Sequence, residues 1–311
     1  MASRTFILCP GQGAQAVGMG EDLFESSAVA RKIFERADAL LGFDLSALCF
    51  CGPEDRLNQT DISQPALFTA GVASFRAAED AGVIASDDIT AFAGLSLGEY
   101  TALHLAGVFS FEDGLGLVAA RGKYMQEAAV ASPSGMVAIL GAEEPAVNAL
   151  CQQAAEGEVL VPANLNAPGQ IVVSGTKAAC ERMLAAAEAA GLKAMALKVA
   201  GAFHSPLMQS AADRMGAELE KVRFSAPSAP VYSNVTAQPH EDAASIKRRL
   251  VEQIVSPVQW ERMMKTLIAG DEQGRFVELA PGRTLAGLAK RISRRLPIES
   301  VGTWEMLKAE R

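Results

Sequence analysis

The chain has 311 residues, half of them hydrophobic and only 6% aromatic, with 28 Lys and Arg against 36 Asp and Glu for a net charge of −8. That length suggests about two domains around a large aliphatic core, and the acidic balance argues against broad nucleic-acid binding, which needs a basic face. Five cysteines with no C-x-x-C pair suggest neither a disulfide framework nor a zinc site and fit reduced thiols in the cytoplasm, while no apolar run approaches the ~20 residues of a membrane span.

Residues 6–9 read as a short buried strand that Pro10-Gly11 stops, too short for the apolar region of a signal peptide. A glycine-rich loop, Gly11-Gln12-Gly13-Ala14-Gln15, follows. Apolar residues at helical spacing predict helices over 21–41 and 64–81, the second closed by Gly82. Residues 89–93 read as a strand, Gly94-Leu95-Ser96-Leu97-Gly98 as a tight turn, and 99–106 as a helix. Ser110 opens the next helix, whose apolar stripe of Leu117, Val118 and Met125 also carries Arg121.

Near Ser132-Pro133-Ser134-Gly135 the pattern shortens. Strands over 136–140, 159–163, 170–174 and 193–199 and helices over 145–155 and 177–190 give the order βαββαβ, the ferredoxin-like pattern. Gly201 returns the chain to the larger unit, and Ser205-Pro206 starts a helix reaching about residue 222. After a loop and short strand over 227–235 come two helices separated by Ser256-Pro257-Val258-Gln259. A strand over 275–279, a Pro281-Gly282 turn and a helix over 284–294 follow. The clusters Lys247-Arg248-Arg249 and Lys290-Arg291 with Arg294-Arg295 read as solvated helix faces.

The motif G-x-S-x-G between a strand and a helix is a nucleophile elbow in its required context. A serine hydroxyl needs a base, and the chain has three histidines. His104 reads as a helix-surface residue that cannot turn back to Ser96, and His240 as an ordinary loop residue. His204 follows a strand and precedes the Ser205 cap, where α/β folds build sites, which makes it the candidate base. No acidic residue stands in an obvious strand-end loop between Ser96 and His204. A Ser–His dyad is therefore expected, with the imidazole oriented by another group such as a backbone carbonyl. Arg121 has two readings: a structural or snorkelling arginine, or a fork for a substrate carboxylate. Gly11 to Ala16 also matches G-x-G-x-x-A, but Gly18 and Gly20 argue against the helix that a dinucleotide site would open there.

Together these residues resemble the malonyl-CoA:acyl carrier protein transacylases and the wider acyltransferase family of fatty-acid and polyketide synthesis. The matching stretches are Pro10-Gly11-Gln12-Gly13-Ala14-Gln15, Gly94-Leu95-Ser96-Leu97-Gly98-Glu99-Tyr100, Arg121-Gly122 and Asn164-Leu165-Asn166-Ala167-Pro168-Gly169-Gln170, then Gly201-Ala202-Phe203-His204-Ser205-Pro206, Val258-Gln259-Trp260 and Glu278-Leu279-Ala280-Pro281-Gly282. The resemblance implies an α/β fold: an α/β-hydrolase-like catalytic core over 1–131 and 200–311, with an inserted ferredoxin-like subdomain over 132–199. It implies Ser96 as acylated nucleophile, His204 as base and Arg121 as clamp on the malonyl carboxylate. Gln12 and Leu97 would supply oxyanion-hole N–H groups, Gln253 would help hold His204, and Asn166 and Phe203 would line the pocket, Phe203 narrowing it toward malonyl. Where the family usually has histidine before the nucleophile, this chain has Leu95.

The implied reaction moves malonyl from malonyl-CoA to the phosphopantetheine thiol of acyl carrier protein through a malonyl-serine. It serves fatty-acid synthesis in the cytoplasm and needs no cofactor, metal, nucleic acid or membrane. Lys290-Arg291 and Arg294-Arg295 are candidate docks for an acidic carrier. The rival readings are a serine thioesterase or hydrolase, a polyketide-type acyltransferase for another acyl group, a dinucleotide-binding protein and an inactive acyl-binding scaffold.

Overall fold

The computed structural model describes residues 4–271 and 273–309. Among these, eight strands, β1 (Thr5–Cys9), β2 (Ile89–Gly94), β3 (Ser134–Leu140), β4 (Leu160–Ala167), β5 (Gln170–Thr176), β6 (Lys193–Ala196), β7 (Arg275–Glu278) and β8 (Ile298–Ser300), form two sheets. β1 is buried along its whole length, as its unbroken apolar run requires of a strand covered on both faces. It pairs in parallel with β2 and β7, giving the order β2-β1-β7-β8. Parallel pairing needs long crossovers, and the chain from β1 to β2 supplies one containing the helix Thr60–Asp80, buried along most of its length.

The second sheet is antiparallel, in the order β4-β5-β3-β6. Its strands all lie between residues 134 and 196. Alternation sorts its side chains. Val137, Ile139, Ile171 and Val173 pack with the helices Glu144–Ala155 and Lys177–Ala189, whereas Met136 and Val172 face the main core. This second face roofs the site. β4 is tied to the core by Leu165 N–H to Val258 O and Val258 N–H to Ala163 O, both 2.9 Å.

Several elements differ from the sequence expectation. The helix expected over 21–41 is two, Glu21–Ser26 and Ala28–Leu41. Ser27 between them is extended, and its hydroxyl caps Ala30 N–H. The helix expected from 64 begins at Thr60 and tolerates Pro65 in its second turn. The strand expected over 193–199 ends at Ala196; Leu197 keeps one bond to β3, its N–H to Met136 O at 2.9 Å, and Leu197 and Val199 line the cavity. His104 is buried, with Nδ1 3.0 Å from Phe109 O, because every residue of its helix, Leu97–Leu105, is enclosed. His240 lies in a loop, but its side chain is fully buried against Glu99. No helix among the described residues is long and apolar enough to cross a membrane.

Candidate active site

β2 runs into the elbow and the helix Leu97–Leu105 runs out of it. The turn is so tight that a Cβ on Gly94 would stand 1.9 Å from Gly98 C, and one on Gly98 would stand 2.1 Å from Cys9 O. Neither position has room for a side chain. Ser96 itself sits at φ 53°, ψ −104°, a conformation that costs on the order of 1–3 kcal/mol and persists only when its surroundings over-determine it. Asn234 supplies part of that hold. Its Oδ1 accepts from Ser96 N–H at 2.6 Å and its Nδ2 donates to Gly94 O at 2.7 Å.

His204 lies at φ 58° just before the Ser205-capped turn Pro206–Met208. Its Nε2 is 2.8 Å from Ser96 Oγ and its Nδ1 is 2.7 Å from Gln253 O. A carbonyl oxygen only accepts, so Nδ1 carries the proton and Nε2 presents its lone pair to the serine. A backbone carbonyl thus occupies the place a triad carboxylate would take. Burial first, and the Arg121 charge second, push the imidazole down to about 4, so it is neutral and able to accept a proton at physiological pH.

Arg121 is 1% exposed. Its Nη1 donates to Gln64 Oε1 at 2.8 Å, and its Nη2 donates to Gln253 Oε1 at 2.9 Å and Ser96 Oγ at 3.1 Å. Its guanidinium also lies over the Tyr100 ring, 5.5 Å from the centroid. Nε has no hydrogen-bond partner among the described residues. A buried guanidinium N–H without a partner is costly, and Nε with Nη2 forms an edge that matches a carboxylate.

The cavity over Ser96 measures ≈ 160 Å³ and is bounded by Gln12, Leu95, Arg121, Asn166, Phe203 and His204, among others. Asn166 contributes a buried Oδ1 that also has no hydrogen-bond partner among the described residues. Phe203 is buried beside it. Leu97 is the first residue of the elbow helix, so its N–H has no intrahelical acceptor. The Gln12 loop does not open a helix; the next begins at Glu21, and Gly11 packs against Leu95 O. The structure therefore gathers Ser96, His204, Arg121, Gln12, Leu97, Asn166, Phe203 and Gln253 into one place.

Three polar residues of this site escape sequence reasoning. Gln64 and Asn234 meet the site from 57 residues before Arg121 and 138 residues after Ser96. Glu99, in the elbow helix, is fully buried.

The sequence profile of the acyl transferase domain family matches residues 5–305. A malonyl CoA-acyl carrier protein transacylase of Salmonella typhimurium is 44% identical over 284 residues, 91% of this chain and 91% of its own. The solved malonyl CoA-acyl carrier protein transacylase of Coxiella burnetii superposes with a TM-score of 0.94 at 40% identity, over 99% of this chain and 97% of that one. A malonyl-transacylase solved in complex with its type II polyketide synthase acyl carrier protein also superposes at 0.94, with 39% identity and 99% of each chain covered.

Proposed function

The chain belongs to the acyl transferase domain family, and from that premise we propose that it transfers malonyl from malonyl-CoA to the phosphopantetheine thiol of acyl carrier protein in fatty-acid synthesis. The observation that carries the substrate choice is Arg121: a buried guanidinium 3.1 Å from the nucleophile, with Nε unpartnered. A hydrolase of neutral esters has no use for that charge.

Ser96 Oγ attacks the thioester carbonyl while His204 Nε2 takes its proton. The oxyanion is met by the N–H groups of Gln12 and Leu97, the second at a helix N-terminus where the dipole favours negative charge. The C–S bond then breaks, and the sulfur leaves with the proton from imidazolium. In the return half-reaction the carrier thiol attacks the malonyl-serine ester, His204 takes the thiol proton, and Ser96 recovers it as the ester C–O bond breaks. Arg121 holds the malonyl carboxylate with Nε–H and with the Nη2–H that turns to it from Ser96 Oγ, while the other Nη2–H stays on Gln253, so a carboxylated acyl group is bound in the orientation the attack needs.

Nucleophile, base, oxyanion donors and clamp all come from the chain, so the proposed reaction uses no cofactor, and malonyl-CoA enters only as substrate. Lys290, Arg291, Arg294 and Arg295 are exposed at the carboxyl end of the helix Thr284–Ile292 and are the proposed dock for an acidic carrier. The proposed setting is the cytoplasm, supported by five free cysteines. The test is rapid-quench mass spectrometry with malonyl-CoA, followed by addition of holo carrier protein. The expected result is malonate on the Ser96 peptide that passes to the carrier. An unlabelled Ser96, or release of malonate to water at the same rate with and without carrier, would overturn the reading.

A further inference from the structure

Glu99 stands in the first turn of the elbow helix, three residues beyond the nucleophile, and is 0% exposed. An ionised carboxylate is buried tolerably only when its lone pairs are filled. Here three separate segments fill them. Oε2 accepts from Asn234 N–H at 3.0 Å and from Gln253 Nε2 at 2.7 Å, and Oε1 accepts from His240 Nε2 at 2.8 Å.

The bond to Gln253 decides which way that amide faces. On the Nε2 side stand Glu99 Oε2, Ser96 O at 3.0 Å and Asn234 Oδ1 at 3.5 Å, all acceptors. On the Oε1 side stands Arg121 Nη2, a donor. Turning the amide over would set oxygen against carboxylate and N–H against guanidinium. Glu99 is the only charged group among the three acceptors and makes the shortest bond, so it weighs most in that choice.

We propose that Glu99 is a positioning residue whose carboxylate locks the Gln253 amide and, through it, aims the Arg121 fork at the acyl carboxylate. The inference rests on the transfer reading above and deepens it. It also makes a separable demand. His204 is held by the backbone carbonyl of Gln253, not by its side chain. Loosening the amide leaves the Gln253 carbonyl on His204 but frees Arg121 Nη2 and weakens the bonds to Ser96 O and, through Asn234, to Ser96 N–H, so both acyl groups lose rate and the larger loss should fall on the carboxylated one.

The experiment measures single-turnover acylation of Ser96 from malonyl-CoA and from acetyl-CoA, by intact-protein mass, for the parent, Glu99→Ala and Glu99→Gln. Glu99→Ala is expected to lower the malonyl-to-acetyl ratio by about tenfold or more, as loss of a charge-assisted bond implies. Glu99→Gln is expected to restore most of it. Its amide oxygen can take the bonds of Oε2, and its N–H₂ can face His240 once that ring moves its proton to Nδ1. Should Glu99→Ala fail to fold by thermal melt, Glu99→Asp takes its place, since it keeps the charge but falls one methylene short of Gln253. An unchanged ratio with both rates reduced, or a Gln variant as impaired in ratio as the Ala variant, would overturn the proposal. A parent that shows no malonyl preference would instead overturn the transfer reading itself.

Discussion

The carbonyl oxygen of Gln253 lies 2.7 Å from Nδ1 of His204, so a main-chain dipole orients the base that acts on Ser96. A carbonyl fixes the tautomer as a carboxylate would, but it does not stabilise imidazolium with a full charge. Burial and Arg121 can therefore hold the folded-state value near 4, below the ordinary 6.5. Ser96 acylation by malonyl-CoA is expected to be flat from about pH 8 to pH 5.5 and to fall as His204 protonates through about 4. The unfolded chain takes up this proton near 6.5 and the folded chain only near 4. Stability from this group is thus complete above 6.5 and is lost as the pH falls through that window. The pH profile of single-turnover acylation checks the sign; an inflection near 6.5 would contradict the buried dyad.

Arg121 is expected to decide which acyl group is accepted. Arg121→Ala removes the charge that would face the substrate carboxylate. Breaking a desolvated pair costs ~3–5 kcal/mol, or roughly 10²–10⁴-fold in malonyl acylation. Acetyl-CoA, with no carboxylate to orphan, should lose much less. Arg121→Lys should recover little, because a point charge cannot keep Gln64, Gln253 and a ligand on one planar fork. Parallel acylation rates with the two thioesters decide this, and equal losses for both would remove the clamp.

The parts of this site that were legible in sequence are those whose chemistry is written locally. Gly94 and Gly98 flank a serine between a strand and a helix, and Arg121 interrupts an apolar stripe, which marked it out but left a snorkelling or structural arginine open beside a carboxylate fork. His204 was reached because few histidines compete with it. Gln64, Asn234 and Glu99 were not readable, since each matters only for what a distant segment brings to it. Asn234 bonds Gly94 and Ser96 across 140 and 138 residues. His104 was expected on a surface because it was read by residue type. The helix around it spreads Leu97, Tyr100, Leu103 and Leu105 around its circumference rather than along one stripe, and that pattern marks a helix buried on every side.

Gly98→Ala tests how tightly the elbow is closed. The added methyl would sit 2.1 Å from Cys9 O and 2.9 Å from Pro10 O, both backbone atoms that no rotamer change can move aside. Relief requires shifting β1 or the elbow helix. The expected cost is about 3 kcal/mol or more, at the upper end for overpacking, with acylation reduced in the folded remainder. Thermal unfolding measures the first and single-turnover acylation the second. A melt within a degree of the parent would show that the elbow has slack.

Phe203 is expected to set the width of the acyl pocket. It is 5% exposed and bounds a cavity of only ≈ 160 Å³ beside Ser96 and His204, and Ser174 Oγ donates to its backbone carbonyl, fixing where the side chain starts. A malonyl group branched at C2 must place its extra methyl within that wall. Phe203→Ser removes the ring without touching the Arg121 fork, so the carboxylate should still be held while the branch gains room. Discrimination by one methyl in an apolar pocket is worth about 1–3 kcal/mol. The methylmalonyl-to-malonyl acylation ratio is therefore expected to rise by roughly tenfold or more. Competition between the two thioesters for limiting enzyme, read as the mass of the acyl-enzyme, gives that ratio directly. If it does not rise while malonyl acylation persists, the methyl is excluded by another wall of the cavity and Phe203 does not set specificity.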